Sequence, residues 1–245
     1  MSNKESKSID VLGMKSVADT VSHVTKAAVD GASAFLSRIC LPAAEELGLL
    51  LQDKVRTWRA KNATAVLVEA QAFFEKYQSG HDAHAHPRLV ASVVQNSSWT
   101  DDRTLQQMWG GLLASSCSPD GSDESNLIFV NLLSQLTGLE VRVLSYGCSN
   151  IPKYVTAEGL IMPQRGLYVD VPTLRTITGI DDIHRLDTEL DHLCSLKLIA
   201  GGFRPGATHH DIGPTALALN LFVRCQGFTG SAVEFFNLKP PIPGT

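Results

Sequence analysis

The sequence has no excess of positive charge. It contains 21 Lys and Arg against 25 Asp and Glu, which gives a formal net charge of −4 over 245 residues. A protein that binds nucleic acid or anionic lipid with its whole surface needs a positive field. We therefore expect any such contact to be local, and we predict neither nucleic acid nor a membrane as the main partner.

The sequence also lacks paired cysteines and long apolar runs. Its five cysteines are widely spaced and include no C-x-x-C pair: Cys40, Cys117, Cys148, Cys194 and Cys225. This pattern favours free thiols in a reducing compartment over disulfides or structural zinc. The opening residues MSNKESKSID are polar, and no apolar run reaches the roughly 18 residues of a membrane span. We predict a cytoplasmic protein.

Motifs for common chemistry are missing. There is no G-x-x-x-x-G-K-[ST] loop, no G-x-G-x-x-G after a predicted strand and no G-x-S-x-G turn around a nucleophile. Cys117 and Cys148 lie near turns, but spacing identifies no base beside either thiol. The sequence therefore predicts no catalytic residue and no cofactor, and we expect a non-enzymatic protein.

What the sequence does contain is a series of helical patterns. Apolar residues recur at helical steps over 9–39, 43–78, about 100–114 and 126–136. Ser98 and Thr100 are candidate caps for the third of these helices, and Thr137 to Glu140 has the spacing of a capping box. Gly110-Gly111 lies inside a helical pattern and indicates close packing. These patterns predict a mostly α fold.

The C-terminal part has the element order helix, helix, hairpin, helix. A helix over 181–196 precedes two short strands around Arg204 and then a closing helix. This order is typical of a winged-helix-like domain with a short β-hairpin. We predict five segments: an N-terminal amphipathic helix (1–40), a helical domain (41–146), a connector (147–170), the winged-helix-like domain (171–227) and a C-terminal tail (228–245).

Charge argues against DNA recognition by this domain. The helix before the hairpin enters the major groove in a DNA reader and carries cations and amides there. The segment 181–196 instead carries five acidic residues against Arg185 alone. We predict a protein-contact or structural module, and DNA binding through the wing residue Arg204 remains the alternative.

The stretch QDKVRTWRAKNATAVL over 52–67 places a tryptophan among four cations. On a helical wheel Trp58 falls in the same arc as the preceding apolar residues, whereas the cations surround the helix. We therefore predict that Trp58 faces the core, that Arg56 and Arg59 are solvated or paired, and that Asn62 forms a buried hydrogen bond across helices. Nucleic-acid contact is the less favoured interpretation.

The same region carries a resemblance to a known family. The runs D-K-V-R-x-W-R-x-K-N at 53–62 and D-x-x-L-Q-x-M-W-x-x-L-L-A at 102–114 are similar to those of the abortive infection alpha family of bacterial proteins. The resemblance covers roughly 40–146 well and 180–226 more weakly. It implies a mostly helical protein of bacterial defence against phage, without a catalytic mechanism to transfer. The motif residues Asp102, Met108 and Trp109 are then expected to pack against Arg56, Trp58, Arg59 and Asn62.

A histidine-rich connector allows a metal hypothesis. His81, His84 and His86 lie within six residues, and His209-His210-Asp211 adds distant candidate ligands. Because the connector preorganises its ligands poorly, we expect solvated histidines, and a metal-dependent enzyme is the second alternative.

The sequence thus predicts anti-phage defence through protein–protein contacts. The expected partner is a protein, either from the host or from the phage, and a second copy of the chain is a further candidate. A winged-helix DNA-binding regulator and a metal-dependent enzyme are the competing classes.

Overall fold

The structure is a computed structural model that describes residues 26–40, 56–78, 82–204 and 206–239. The described chain is mostly helical, as the sequence predicts. Its helices are α1 Lys26–Ile39, α2 Arg56–Gln78, α3 Pro87–Ser97, α4 Arg103–Ala114, α5 Leu127–Leu133, α6 Gly138–Asn150, α7 Val171–Thr178, α8 Ile183–Ser195, α9 Ala216–Cys225 and α10 Ala232–Phe235. The predicted helix over 43–78 ends as expected, whereas its first part and residues 9–25 lie outside the described residues.

The described strands form three short antiparallel pairs. They are β1 His84–Ala85 with β2 Cys117–Ser118, β3 Lys153–Val155 with β4 Ile161–Pro163, and β5 Tyr168–Val169 with β6 His210–Asp211. The first pair joins the chain before α3 to the chain after α4. All six strands lie in connections between helices, and each pair forms a separate two-stranded sheet.

The most extensive helix contact joins α2 to α4, because a glycine lets the two backbones approach closely. A Cβ atom added at Gly110 would lie 2.8 Å from the Ala70 nitrogen and 2.9 Å from the Val66 oxygen. The next residue, Gly111, faces the backbone of Cys225 at the end of α9 in the same way. The predicted role of Gly110-Gly111 in close packing is confirmed, with α2 and α9 as the two neighbours.

Side-chain caps fix where several helices begin. The Thr137 hydroxyl accepts from the Glu140 N–H (3.2 Å) and the Thr137 N–H donates to Glu140 Oε2 (2.7 Å), which confirms the predicted capping box. The expected caps of α4 are wrong. Asp102 caps that helix by accepting from the Leu105 N–H at 3.0 Å, because Ser98 already ends α3 and Thr100 lies in the intervening turn.

Helix α6 connects the two halves of the described chain. It packs against α4 on one side and against α7, α8 and α9 on the others. A single cluster of buried apolar side chains extends from Phe35 in α1 to Ala232 in α10. The core therefore crosses the predicted segment boundaries, whose positions stay a prediction.

The predicted C-terminal hairpin forms only in part. The Ala200 N–H donates to the Gly213 oxygen (2.9 Å), and Ile199 forms an isolated bridge with Pro214. Strand β6, however, pairs with β5, which belongs to the segment predicted as a connector. That segment is partly extended, because β3, β4 and β5 all lie between 153 and 169.

Within the described ranges, no helix combines the length and the apolar character needed to cross a membrane.

Candidate functional site

Two exposed tryptophans meet where α2 begins and α3 ends. Trp58 is 36% exposed and Trp99 is 50% exposed. Their ring centroids are 6.4 Å apart and the planes are tilted by 55°. The prediction that Trp58 faces the core is wrong, because the buried face of α2 begins one residue later, at Arg59 and Ala60, and the indole lies against Trp99 at its edge. We call Trp58, Arg59, Asn62, Ser98 and Trp99 the tryptophan corner.

Arg59 lies underneath this aromatic pair and is only 3% exposed. Its Nε and Nη2 donate to Ser98 Oγ at 3.2 Å each, and Nη2 also donates to Gln95 Oε1 at 3.0 Å. The guanidinium carbon is 4.2 Å from the centre of the Trp99 ring. Hydrogen bonds and a cation–π contact of this kind are what make burial of an arginine tolerable. Of the two states expected for Arg59, solvated or paired, the structure shows the paired one.

Asn62 completes the polar base of the corner. It is buried, and its Nδ2 donates to the Ser98 carbonyl at 3.1 Å. This is the predicted cross-helix hydrogen bond, which is therefore confirmed. Because Arg59 and Asn62 both bind Ser98, the turn that carries Trp99 is fixed to α2, and the corner presents its rings from a rigid base.

The other motif residues take separate positions. Arg56 is the first residue of α2, and its side chain lies outside the described part of the chain. Met108 and Trp109 are buried in the core on α4. Asp102 binds Arg142 on α6, with Arg142 Nη1 donating to Oδ2 at 2.8 Å.

A groove nevertheless connects some of these residues. It has a volume of about 370 Å³ and extends from Trp99 past Asp102 and Trp109 to Thr137. Two of the expected partners, Asp102 and Trp109, thus line the same groove as Trp99. The sequence pattern did not indicate Gln95 or Trp99 as site residues and indicated Ser98 only as a candidate cap. The available signal was a second tryptophan, Trp99, directly before the helix predicted from about residue 100.

A second polar contact joins α6 to α8. Glu140 is fully buried and its Oε1 lies 2.6 Å from His192 Nδ1, while its other oxygen accepts from the Thr137 N–H. Burial raises the pKa of the Glu140 carboxyl, although the hydrogen bonds with Thr137 and His192 oppose that shift. Glu140 therefore links the capping box of α6 to the acidic helix α8.

The histidines have individual structural roles. His86 caps α3 by accepting from the Arg88 N–H at 3.3 Å, and His84 Nδ1 lies 3.3 Å from the Arg38 oxygen. His210 is buried against Phe203, with ring centroids 4.2 Å apart. His81 lies outside the described residues. In the part of the chain that the structure describes, no three His, Cys, Asp or Glu side chains are grouped to hold a metal ion.

The surface of the predicted DNA-reading region is acidic. Helix α8 begins after Asp182, whose carboxylate accepts from the His184 and Arg185 N–H groups. Asp181, Asp182 and Asp191 are exposed, and Arg204 is an exposed cation on the loop beyond α8. Arg204 would therefore attract a phosphate group, whereas the acidic residues of α8 would repel it.

Comparison with known proteins gives one match. The family model described as Abortive infection alpha matches residues 59–211. That range starts at Arg59 of the tryptophan corner and ends at Asp211 of β6. No curated protein and no solved structure matches the chain.

Proposed function

The chain belongs to the abortive infection alpha family, and from this membership we propose that it acts in bacterial anti-phage defence as a non-enzymatic protein that binds a protein partner. The family supports the defence role. The contact mode rests on the tryptophan corner, where two indoles are exposed side by side on a hydrogen-bonded base.

The composition of the corner supports protein binding. Trp, Tyr and Arg dominate the few residues that carry most of the energy of protein–protein interfaces, and they act from well-packed positions. Trp58 and Trp99 are held close together, and Arg59 and Asn62 fix the turn beneath them. Little conformational entropy is then lost when a partner covers the rings.

The C-terminal region supports the same class of partner. The order of α7, α8, the Ile199–Pro214 bridge and α9 is compatible with a winged-helix-like module, and we propose that it serves protein contact. The acidic surface of α8 repels phosphate and attracts basic protein surfaces. The charge of the helix, rather than the order of elements, therefore supports protein contact over DNA binding.

The test replaces Trp58 by Ala and compares it with Ile128→Ala. Ile128 is 63% exposed on α5 and lies outside the corner, so it is a matched loss of exposed apolar surface. We expect W58A to lower the protection of cells in a phage plating assay and to reduce retention of a partner from infected cells about tenfold or more, whereas I128A retains both. Equal protection by W58A and wild type, at equal protein level and melting temperature, would overturn the assignment of the corner.

The DNA-binding alternative has its own test. A regulator that binds through the wing must shift duplex DNA at low salt, and Arg204→Gln must weaken that shift. Our proposal expects no shift of random duplex at low salt with either protein. A salt-sensitive shift lost in R204Q would favour the regulator.

A further inference from the structure

A cleft with a mixed polar and apolar lining lies on the described surface between the end of α2, strand β2 and the chain that follows α9. Its volume is about 390 Å³, and its lining includes Tyr77, Gln78, Ser118, Asp123, Arg224 and Thr229. Sites for small molecules commonly span ~300–1,000 Å³. The cleft is therefore of the size that suits a small metabolite, and neither the tryptophan corner nor α8 contributes to it.

Arg224 supplies the positive charge of the cleft. Its Nη1 donates to the carbonyl oxygens of Phe228 (3.2 Å) and Thr229 (2.5 Å), so neutral backbone groups hold it at the wall. Arg224 is half-buried, and this partial burial lowers the pKa of its guanidinium. Among the described residues, no carboxylate forms an ion pair with it. A partly desolvated cation of this kind favours a bound anionic group.

Asp123 supplies a negative charge at the rim of the same cleft. Its carboxylate accepts from the Ser125 N–H at 2.8 Å, and these bonds with Ser125 lower the pKa of the Asp123 carboxyl. It attracts Arg224 electrostatically without contacting it. The cleft lining thus carries one cation and one anion that attract each other without forming an ion pair.

We propose that this cleft binds a small zwitterion of the α-amino acid class, with its carboxylate on Arg224 and its ammonium on Asp123. A simple anion is attracted by Arg224 but repelled by Asp123, and a simple cation meets the reverse. A zwitterion satisfies both charges at once. The Tyr77 ring, which packs edge-on against Phe228 at 5.5 Å, offers an aromatic wall for the ligand side chain.

Saturation-transfer NMR on the full chain tests the proposal with the twenty proteinogenic amino acids as probes. Each amino acid that binds is compared with its decarboxylated amine and its deaminated acid. We expect at least one amino acid to bind and both of its single-charge analogues to bind about tenfold or more weakly. If no amino acid binds, or if the acid alone binds as well as the amino acid, the proposal fails.

The direction in which Asp123→Asn changes the affinity distinguishes a zwitterionic ligand from a simple anion. Asp123 is exposed, so the variant should fold, and Asp120→Asn is the matched control because Asp120 lies in the same loop outside the cleft lining. For a zwitterion D123N weakens binding about tenfold and D120N does not, whereas for a simple anion D123N strengthens it. Arg224→Lys keeps a positive charge at the wall of the cleft, whereas Arg224→Gln removes it. If R224Q loses ligand binding and R224K retains part of it, the loss is due to the missing charge and not to a failure to fold.

Discussion

At the scale of single residues, burial of Glu140 makes the stability of the fold depend on pH. Its folded-state pKa is raised by burial, so its charged form is disfavoured in the native protein. The stability that this group contributes is fully present below its ordinary pKa and is lost as pH rises through the raised value. We predict that Glu140→Gln becomes more stable relative to wild type as pH rises through that window, in urea unfolding across a pH series.

A carboxyl that stays in water provides the control for this experiment. Glu75 on α2 is exposed, and its partner is Gln71 on the same helix. Glu75→Gln is therefore the matched removal of an exposed carboxyl, measured in the same urea series. An E140Q curve that runs parallel to that of wild type would contradict the predicted linkage.

The tryptophan corner shows how far residue-level prediction reached. The need of Asn62 for a buried partner follows from its position in the pattern, and its bond to Ser98 satisfies it. The inward direction of Trp58 was extrapolated from apolar residues at 47, 51 and 55, which lie outside the described residues. Burial of Arg59 depends on Gln95, Ser98 and Trp99, which are 36 to 40 positions away, and a helical wheel contains no such information.

At the scale of elements, the glycine pair on α4 sets how closely three helices pack. A methyl group at Gly111 would overlap the backbone carbonyl of Cys225 on α9, and backbone cannot move aside as a side chain can. We predict that Gly111→Ala destabilises the protein by about 3 kcal/mol or more, as overpacking against backbone does. Chemical unfolding of the purified variant measures this.

Gly31 on α1 provides the comparison. The nearest atom to an added Cβ there is Gln71 Oε1 at 3.7 Å, which is ordinary contact. Gly31→Ala should be neutral or stabilise by up to about 1 kcal/mol, because alanine favours the helix. Equal loss of stability in G31A and G111A would contradict the packing argument.

Helices were more predictable than strands for a physical reason. The capping box at Thr137 and the apolar period of α8 are local features that the sequence contains directly. The pairing of β5 with β6 joins residues about 42 positions apart and only two residues long on each side. A strand of two residues has no period that a sequence pattern can reveal.

At the scale of the whole molecule, the continuous core has a consequence for unfolding. Buried side chains from α1 to α10 form one cluster, and α6 contacts helices on both sides of the predicted boundary near 146. We predict one cooperative transition, with tryptophan fluorescence and far-ultraviolet circular dichroism giving the same midpoint. Two separated transitions would instead favour independent domains at the predicted boundaries.

Four of the five cysteines are buried, and Cys117, Cys148, Cys194 and Cys225 are free thiols. Burial raises the pKa of Cys117 and Cys148 to about 12, so almost none of their reactive thiolate exists at cellular pH. Only Cys194 is half-exposed. The extent of alkylation by iodoacetamide therefore reports how often the fold opens and exposes its buried thiols. The mass of the labelled chain gives the number of cysteines that the reagent has reached. If infection opens this protein in the cell, the buried cysteines become alkylated and the chain becomes heavier.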